Sequence, residues 1–299
     1  MPKNMSNCFL WEFAVAYKTI LVYVDDSPHL VNRVNFSAKV AQSEMAHLIG
    51  VAVTGISRLL QLPTINVDPQ FAANGNPYKP EYIDQLRHNA QSALTKFKEI
   101  VKPFNLPSIE TKLIDDDASD AISSQGVYAD LIVLGQNDND NPSLIAKVDF
   151  PEYVALHSSC PVLIIPCAPR TETIGDSVLI AWNGSMAASR AVRNAMPFLQ
   201  RAKNVRIAIF ESANTDKAKQ QESCEEIVAF LERHHIQVEL VRRTVVDNIG
   251  QAMLELAIEK QVDLMVMGCV AHQRWRGVLL GGSTRVILEN ATIPVLMSH

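Results

Sequence analysis

Apolar residues in this chain come in short unbroken runs, separated by longer stretches with the spacing of amphipathic helices. Thr19-Ile-Leu-Val-Tyr-Val24 is one such run, rich in β-branched residues, and it reads as a strand covered on both faces. Asp25-Asp26-Ser27-Pro28 then supplies a turn and a helix start, with a helix expected from Leu30 to Met45. His47 to Val53 reads as a second strand. Residues 56 to 80, with Pro63, Pro69, Pro77 and Pro80 among apolar side chains, read as a loop. An amphipathic helix is expected from Glu81 to Val101, ahead of the breakers Pro103 and Pro107. Ile109 to Ile114 alternates as a strand, Asp117 opens a short helix, and Asp130 to Gly135 is another buried strand. A helix over Phe150 to Ser158 and a strand over Cys160 to Pro166 complete the unit.

The same plan then repeats. Asp176 to Ser185 matches Lys18 to Ser27, and Val205 to Phe210 matches the second strand. A helix over Lys217 to His234, a strand over Gln237 to Val241 and a helix over Asn248 to Lys260 follow. A fourth strand over Val262 to Gly268 comes next, and Ile293-Pro-Val-Leu-Met-Ser298 mirrors Cys160-Pro-Val-Leu-Ile-Ile. The pattern predicts two tandem domains, residues 1–170 and 171–299, joined by a polar linker near Ala168 to Gly175. Strands alternating with helices imply right-handed crossovers and a doubly wound parallel sheet in each half, an α/β fold.

Composition fits two soluble cores. Hydrophobic residues make up 47% of the 299 positions and charged residues 20%. The net charge of −5 argues against a general nucleic-acid surface. Cys8, Cys160, Cys167, Cys224 and Cys269 form no CxxC pair and no metal-ligand spacing with the histidines, which fits free thiols in a reducing compartment. The apolar run from Cys8 to Tyr17 carries Glu12 and is too short to span a bilayer. It reads as an extension packed on the first domain or as disordered. No membrane partner is expected, and the cytoplasm is the expected location.

Candidate chemistry concentrates after the fourth strand of the second half. That strand ends at Gly268, a basic stretch with Arg274 and Arg276 follows, and Gly281-Gly282-Ser283-Thr284-Arg285 opens a helix. Unpaired N–H groups and the positive end of a helix dipole attract phosphate there, and Ser283 or Thr284 can cap the helix or bond an anion oxygen. The plainer reading is a strand-turn-helix unit whose glycines permit a tight turn. In open α/β sheets ligands bind beyond the carboxyl ends of the strands where strand order reverses. That places the crevice between Ala181-Trp182-Asn183-Gly184 and Met267-Gly268.

These stretches resemble the universal stress protein (UspA) family. Val178-Leu-Ile-Ala-Trp-Asn-Gly-Ser resembles its first strand and helix start, and Gly268 with Leu280-Gly-Gly-Ser-Thr-Arg resembles its Gly-x2-Gly-x9-Gly-(Ser/Thr) phosphate loop. The resemblance implies an adenine nucleotide alpha hydrolase-like fold in both halves. It also implies ATP or a related adenine nucleotide, with or without Mg2+, as ligand of the second half. Carried over by position, Gly268, Gly281, Gly282, Ser283 and Thr284 would contact phosphates. Asn183 would stand in the place of an acid, with Ala181, Trp182 and Met267 beside it, and Phe210 would lie near the base. Ala271 departs from the pattern by occupying the second glycine's place, where a positive φ would strain it. The first half departs further. After Gly135 it has no glycine pair, and Asp149 and Glu152 open the next helix, where carboxylates satisfy the helix terminus and repel phosphate. No ATP is expected there, although Asp25 and Asp26 keep the strand-one acid. The family also pairs its last strands, so Val162 to Ile165 and Val295 to Met297 are candidate edges for a homodimer or for internal pairing.

Plainer readings stand beside several residues. His272 reads as an exposed loop histidine, Cys269 as an apolar filler, and His234-His235 as a cationic helix end. Trp182 and Trp275 can cover an adenine or simply pack. No Walker lysine and no nucleophile–base set is visible, so a binding protein rather than an enzyme is expected, with any hydrolysis slow and incidental. The rival reading is an interaction or apolar-ligand module with a purely architectural glycine loop.

Overall fold

The computed structural model describes residues 16–57, 80–138, 140, 145–146, 149–211, 217–245, 248–269, 271–274 and 277–299. The first half runs β1 (Thr19–Val24), α1 (Leu30–Glu44), β2 (His47–Val53), α2 (Pro80–Val101), β3 (Ser108–Ile114), α3 (Ala118–Gln125), β4 (Leu131–Gly135), α4 (Phe150–His157) and β5 (Val162–Ile165). The second runs β6 (Ser177–Ala181), α5 (Met186–Asn194), α6 (Met196–Leu199), β7 (Asn204–Glu211), α7 (Lys217–Arg233), β8 (Val238–Thr244), α8 (Ile249–Glu259) and β9 (Leu264–Gly268). A ribbon of β10 (Ala271–Arg274) and β11 (Gly277–Leu280) then leads to α9 (Gly282–Asn290) and β12 (Val295–Ser298). The apolar segment at 58–79 and residues 1–15 lie outside the described residues.

Each half forms five parallel strands in the order 3-2-1-4-5, and the two sheets merge into one of ten strands through β5 and β12. Those two run antiparallel, with Leu296 opposite Leu163. Every other pairing in this sheet is parallel. The unbroken apolar runs supply the central strands because helices cover both faces. β1, β4, β5, β9 and β12 are buried almost throughout, whereas the edge strands β3 and β8 are mostly exposed or half-buried.

One acid performs the same task in both copies. The carboxylate of Asp130, just before β4, accepts from the N–H groups of Lys18 and Thr19 at 2.8 and 2.9 Å. Its counterpart Asp263 is buried and accepts from Gly175, Asp176 and Ser177 N–H and from the Thr173 hydroxyl, at 2.7–3.1 Å. The linker is therefore fastened to the start of β9 as it enters β6. The halves meet elsewhere through an ion pair between Glu44 and Arg201 and through the Lys39 ammonium on the Glu172 carbonyl at 2.6 Å. Tyr17, at the end of the N-terminal extension, is buried and reaches the second half. Its hydroxyl donates to the Asn194 carbonyl at 2.5 Å, and its ring lies 5.7 Å from that of Phe198.

Candidate functional site

Two strand ends and two helix starts enclose a cavity in the second half. β6 ends at Ala181 and β9 at Gly268, side by side in parallel register. Over Gly268 passes the first turn of α5, which starts where Ser185 caps it by accepting from Ala188 N–H at 3.2 Å. The approach is close enough that an added methyl at Gly268 would sit 2.5 Å from the Ala188 nitrogen. Packing alone therefore demands glycine there. Opposite lies α9, whose N-cap Gly281 offers no side-chain cap, so N–H groups of its first turn remain directed at the crevice.

The cavity measures about 460 Å3 and is lined by Ala181, Trp182, Asn183, Phe210, Met267, Gly268, Gly281, Gly282, Ser283 and Thr284, with Ile249 and Met253 completing it. Ten residues singled out in the sequence thus line one space of the size small-molecule pockets have. Ile249 and Met253 escaped sequence reasoning because they sit on the first turns of α8, whose apolar face reads simply as core. The close approach of Gly250 to Ser283 is what seats them there, an added methyl at Gly250 meeting the Ser283 carbonyl at 2.8 Å.

Several residues differ from expectation. The backbone of Ala271 stands clear of the strain expected of it. It lies in β10 opposite Leu280, in extended backbone that needs no positive φ. The stretch between β9 and α9 is an antiparallel ribbon, not a loop. Arg285 turns its guanidinium onto Glu289 one turn further along α9, at 2.8 Å, and lies exposed on the helix surface. Arg276 and Trp275 lie outside the described residues. None of the described residues lining the cavity carries a charge. The positive end of the α9 dipole is the electrostatic feature at this side of the cavity. Asn183 is exposed and accepts from Ser185 N–H at 3.1 Å, forming a short Asx turn at the cavity lining. Trp182 donates its indole N–H to Ser223 at 3.0 Å and packs against the core on the α7 side. Cys269 is fully buried, and burial pushes its thiol up to about 12, which makes it the apolar filler.

The matching crevice of the first half is filled from within. Tyr23 holds the place of Ala181 and Phe150 that of Ser283, counted from the paired strands. Their rings meet at a tilt with centroids 4.9 Å apart, both buried. Beside them Arg33, 4% exposed, binds Asp25 at 2.5 Å and lies over Gly135, where an added methyl would meet Arg33 Nη1 at 2.5 Å. Asp149 makes no side-chain cap, and Glu152 accepts from Asn137 at 3.3 Å. Rings and a buried ion pair occupy this crevice, and the Glu152 carboxylate also accepts a backbone hydrogen bond in the first turn of α4.

A duplicated, doubly wound α/β chain with its open crevice at the strand-order reversal of one copy is the class these features define. Residues 176–299 match the universal stress protein family model. That match spans the second half of the chain, which is joined to a first half with the same strand order. A universal stress protein from Archaeoglobus fulgidus DSM 4304 superposes with a TM-score of 0.68 at 16% identity, covering 94% of this chain and 97% of its own. A functionally unknown protein from Pseudomonas aeruginosa PAO1 gives 0.57 at 17% identity over 95% of this chain and 92% of its own. A universal stress protein in complex with cAMP, 22% identical, covers 52% of this chain and 100% of its own, with a TM-score of 0.35. Among the described residues no helix is long and apolar enough to cross a membrane.

Proposed function

We propose that the second half, residues 171–299, binds ATP or a related adenine nucleotide, and that the protein acts through binding rather than turnover. The observation that carries this reading is the uncapped N-terminus of α9 facing an open cavity at the end of β9. Phosphates sit against the N–H groups of Gly282, Ser283 and Thr284. The adenosine lies between Ala181, Phe210, Ile249 and Met253, with Asn183 at the ribose. Mg2+, where present, is carried in by the nucleotide, since no carboxylate is among the described residues that line the cavity. The first half, residues 1–170, serves as scaffold. The apolar walls given by Phe210, Ile249, Met253 and Met267 favour, as a second reading, a small apolar ligand without phosphate.

Calorimetry of the full chain with ATP and Mg2+ separates the two readings. The nucleotide reading requires saturable binding of one equivalent per chain, weakened at least tenfold (about 1.4 kcal/mol) by Gly281→Val. Two equivalents per chain, or no binding, would sink it.

A further inference from the structure

The loops over the first half bring together three side chains with metal-binding chemistry. His29 stands at the start of α1, Asp138 follows β4 and Cys167 follows β5. Their ligand atoms all lie within 4.8 Å of one another, and His29 Nε2 is 2.9 Å from Asp138 Oδ2. β1, β4 and β5 are neighbours in the sheet, so the loops at their carboxyl ends converge over this half's switch point. The His29 side chain does not cap α1, and Cys167 Sγ makes only long contacts of 3.7 and 3.9 Å to the Gln136 and Asn137 carbonyls. All three are half-buried, shielded enough to hold an ion and open enough to admit one.

We propose that His29, Asp138 and Cys167 bind one divalent ion of the zinc class. One imidazole nitrogen, one carboxylate oxygen and one sulfur form a borderline-soft donor set, which suits Zn2+ and not the all-oxygen demands of Ca2+ or Mg2+. A thiolate and a carboxylate balance the two positive charges. The nearby Arg33 guanidinium does not oppose the ion, because Asp25 already neutralises it. Bond lengths of 2.0–2.3 Å to zinc need ligand atoms roughly 3.3–3.7 Å apart. The His29–Asp138 contact opens by several tenths of an ångström, and Cys167 moves in by about 1 Å at most. Burial and the Asp138 charge hold the Cys167 thiol above its ordinary range, so binding breaks the S–H bond and releases one proton to solvent. Three protein ligands leave the fourth position to water. The spacing gives no hint of this set, since its members come from three separate loops. Cys167 also begins the linker, so the ion fastens the linker's start to the loops after β1 and β4.

The test is a titration of chelator-treated, tag-free full-length protein with Co2+, followed by displacement with Zn2+. The proposal requires a near-ultraviolet sulfur-to-cobalt band that saturates at one equivalent and disappears on adding zinc. Cys167→Ser should abolish that band, and Cys160→Ser should keep it. Zinc affinity, read by competition with a chromophoric chelator, should fall in Cys167→Ser and His29→Gln by more than the ~10–100-fold that loss of an outer-shell partner costs. Circular dichroism establishes that each variant is folded. Absence of a thiolate band, or a band and affinity unchanged in Cys167→Ser, overturns the proposal.

Discussion

Tyr23 and Ala181 occupy the same place in the two copies, and this difference in side-chain volume, with Phe150 and the Arg33–Asp25 pair beside Tyr23, separates the filled crevice from the open one. Ala181→Tyr is therefore expected to fill the second cavity and abolish nucleotide binding while leaving the melting temperature within a few degrees of the parent, as calorimetry and a thermal melt would show. Retained binding would mean that the ligand sits elsewhere. The same contrast can be read in the sequence once the repeat is aligned, but its meaning cannot. A tyrosine in an apolar strand looks like any core residue until Phe150 is seen to meet it. Asp25 is a second case. Burial alone raises its pKa, yet the Arg33 charge and the hydrogen bonds from Ser27 and Arg33 outweigh burial and hold it below the usual range. A depressed carboxylate contributes stability above its unfolded pKa of about 3.9 and loses that contribution as pH falls through the folded value. The gap in melting temperature between the parent and Asp25→Asn should therefore be widest near neutral pH and close below about pH 4; a gap independent of pH would refute the assignment. The thiols make a simpler case. Burial pushes both Cys160 and Cys269 up to about 12, so both should resist alkylation at neutral pH until the chain is unfolded.

Elements, rather than single side chains, carry the linker and the phosphate end of the crevice. Asp263 gathers three N–H groups and a hydroxyl at the point where β9 begins, and Asp130 repeats the device with two N–H groups. Asp263→Ala strands these partly buried donors and should cost on the order of 3 kcal/mol in denaturant unfolding. A loss below about 0.5 kcal/mol, typical of surface substitutions, would show the cluster to be incidental. Most helices and strands were legible, because β1, β4 and β9 are unbroken apolar runs and the helix starts at Asp117, Ser185 and Asn248 carry side-chain caps. The β10–β11 ribbon was not. Ala-His-Gln-Arg and Gly-Val-Leu-Leu show no alternation, and strands of four residues leave too little pattern to separate a ribbon from a loop. The glycine at 268 was legible as special, but its reason, the passage of α5 across it, lies in a helix far away in sequence.

Over the whole molecule, β5 and β12 hold the halves together at the middle of the ten-stranded sheet. They pair about an approximate two-fold axis, each strand's edge supplying what the other's lacks. A fragment of residues 171–299 would bare the β12 edge and should pair with a second copy of itself, giving twice the chain mass in light scattering. A monomeric fragment would contradict this. The outer edges behave differently, since β3 and β8 present polar and charged side chains that discourage further addition of strands.

Joining the copies in one polypeptide has a consequence for what each is free to become. Two separate but identical subunits meeting at such a seam would be bound to carry the same crevice twice, and any substitution would strike both. Covalent linkage lifts that obligation. One copy has become solid at its core, with aromatic rings and an arginine–aspartate pair in place of a hollow, while its twin has stayed hollow.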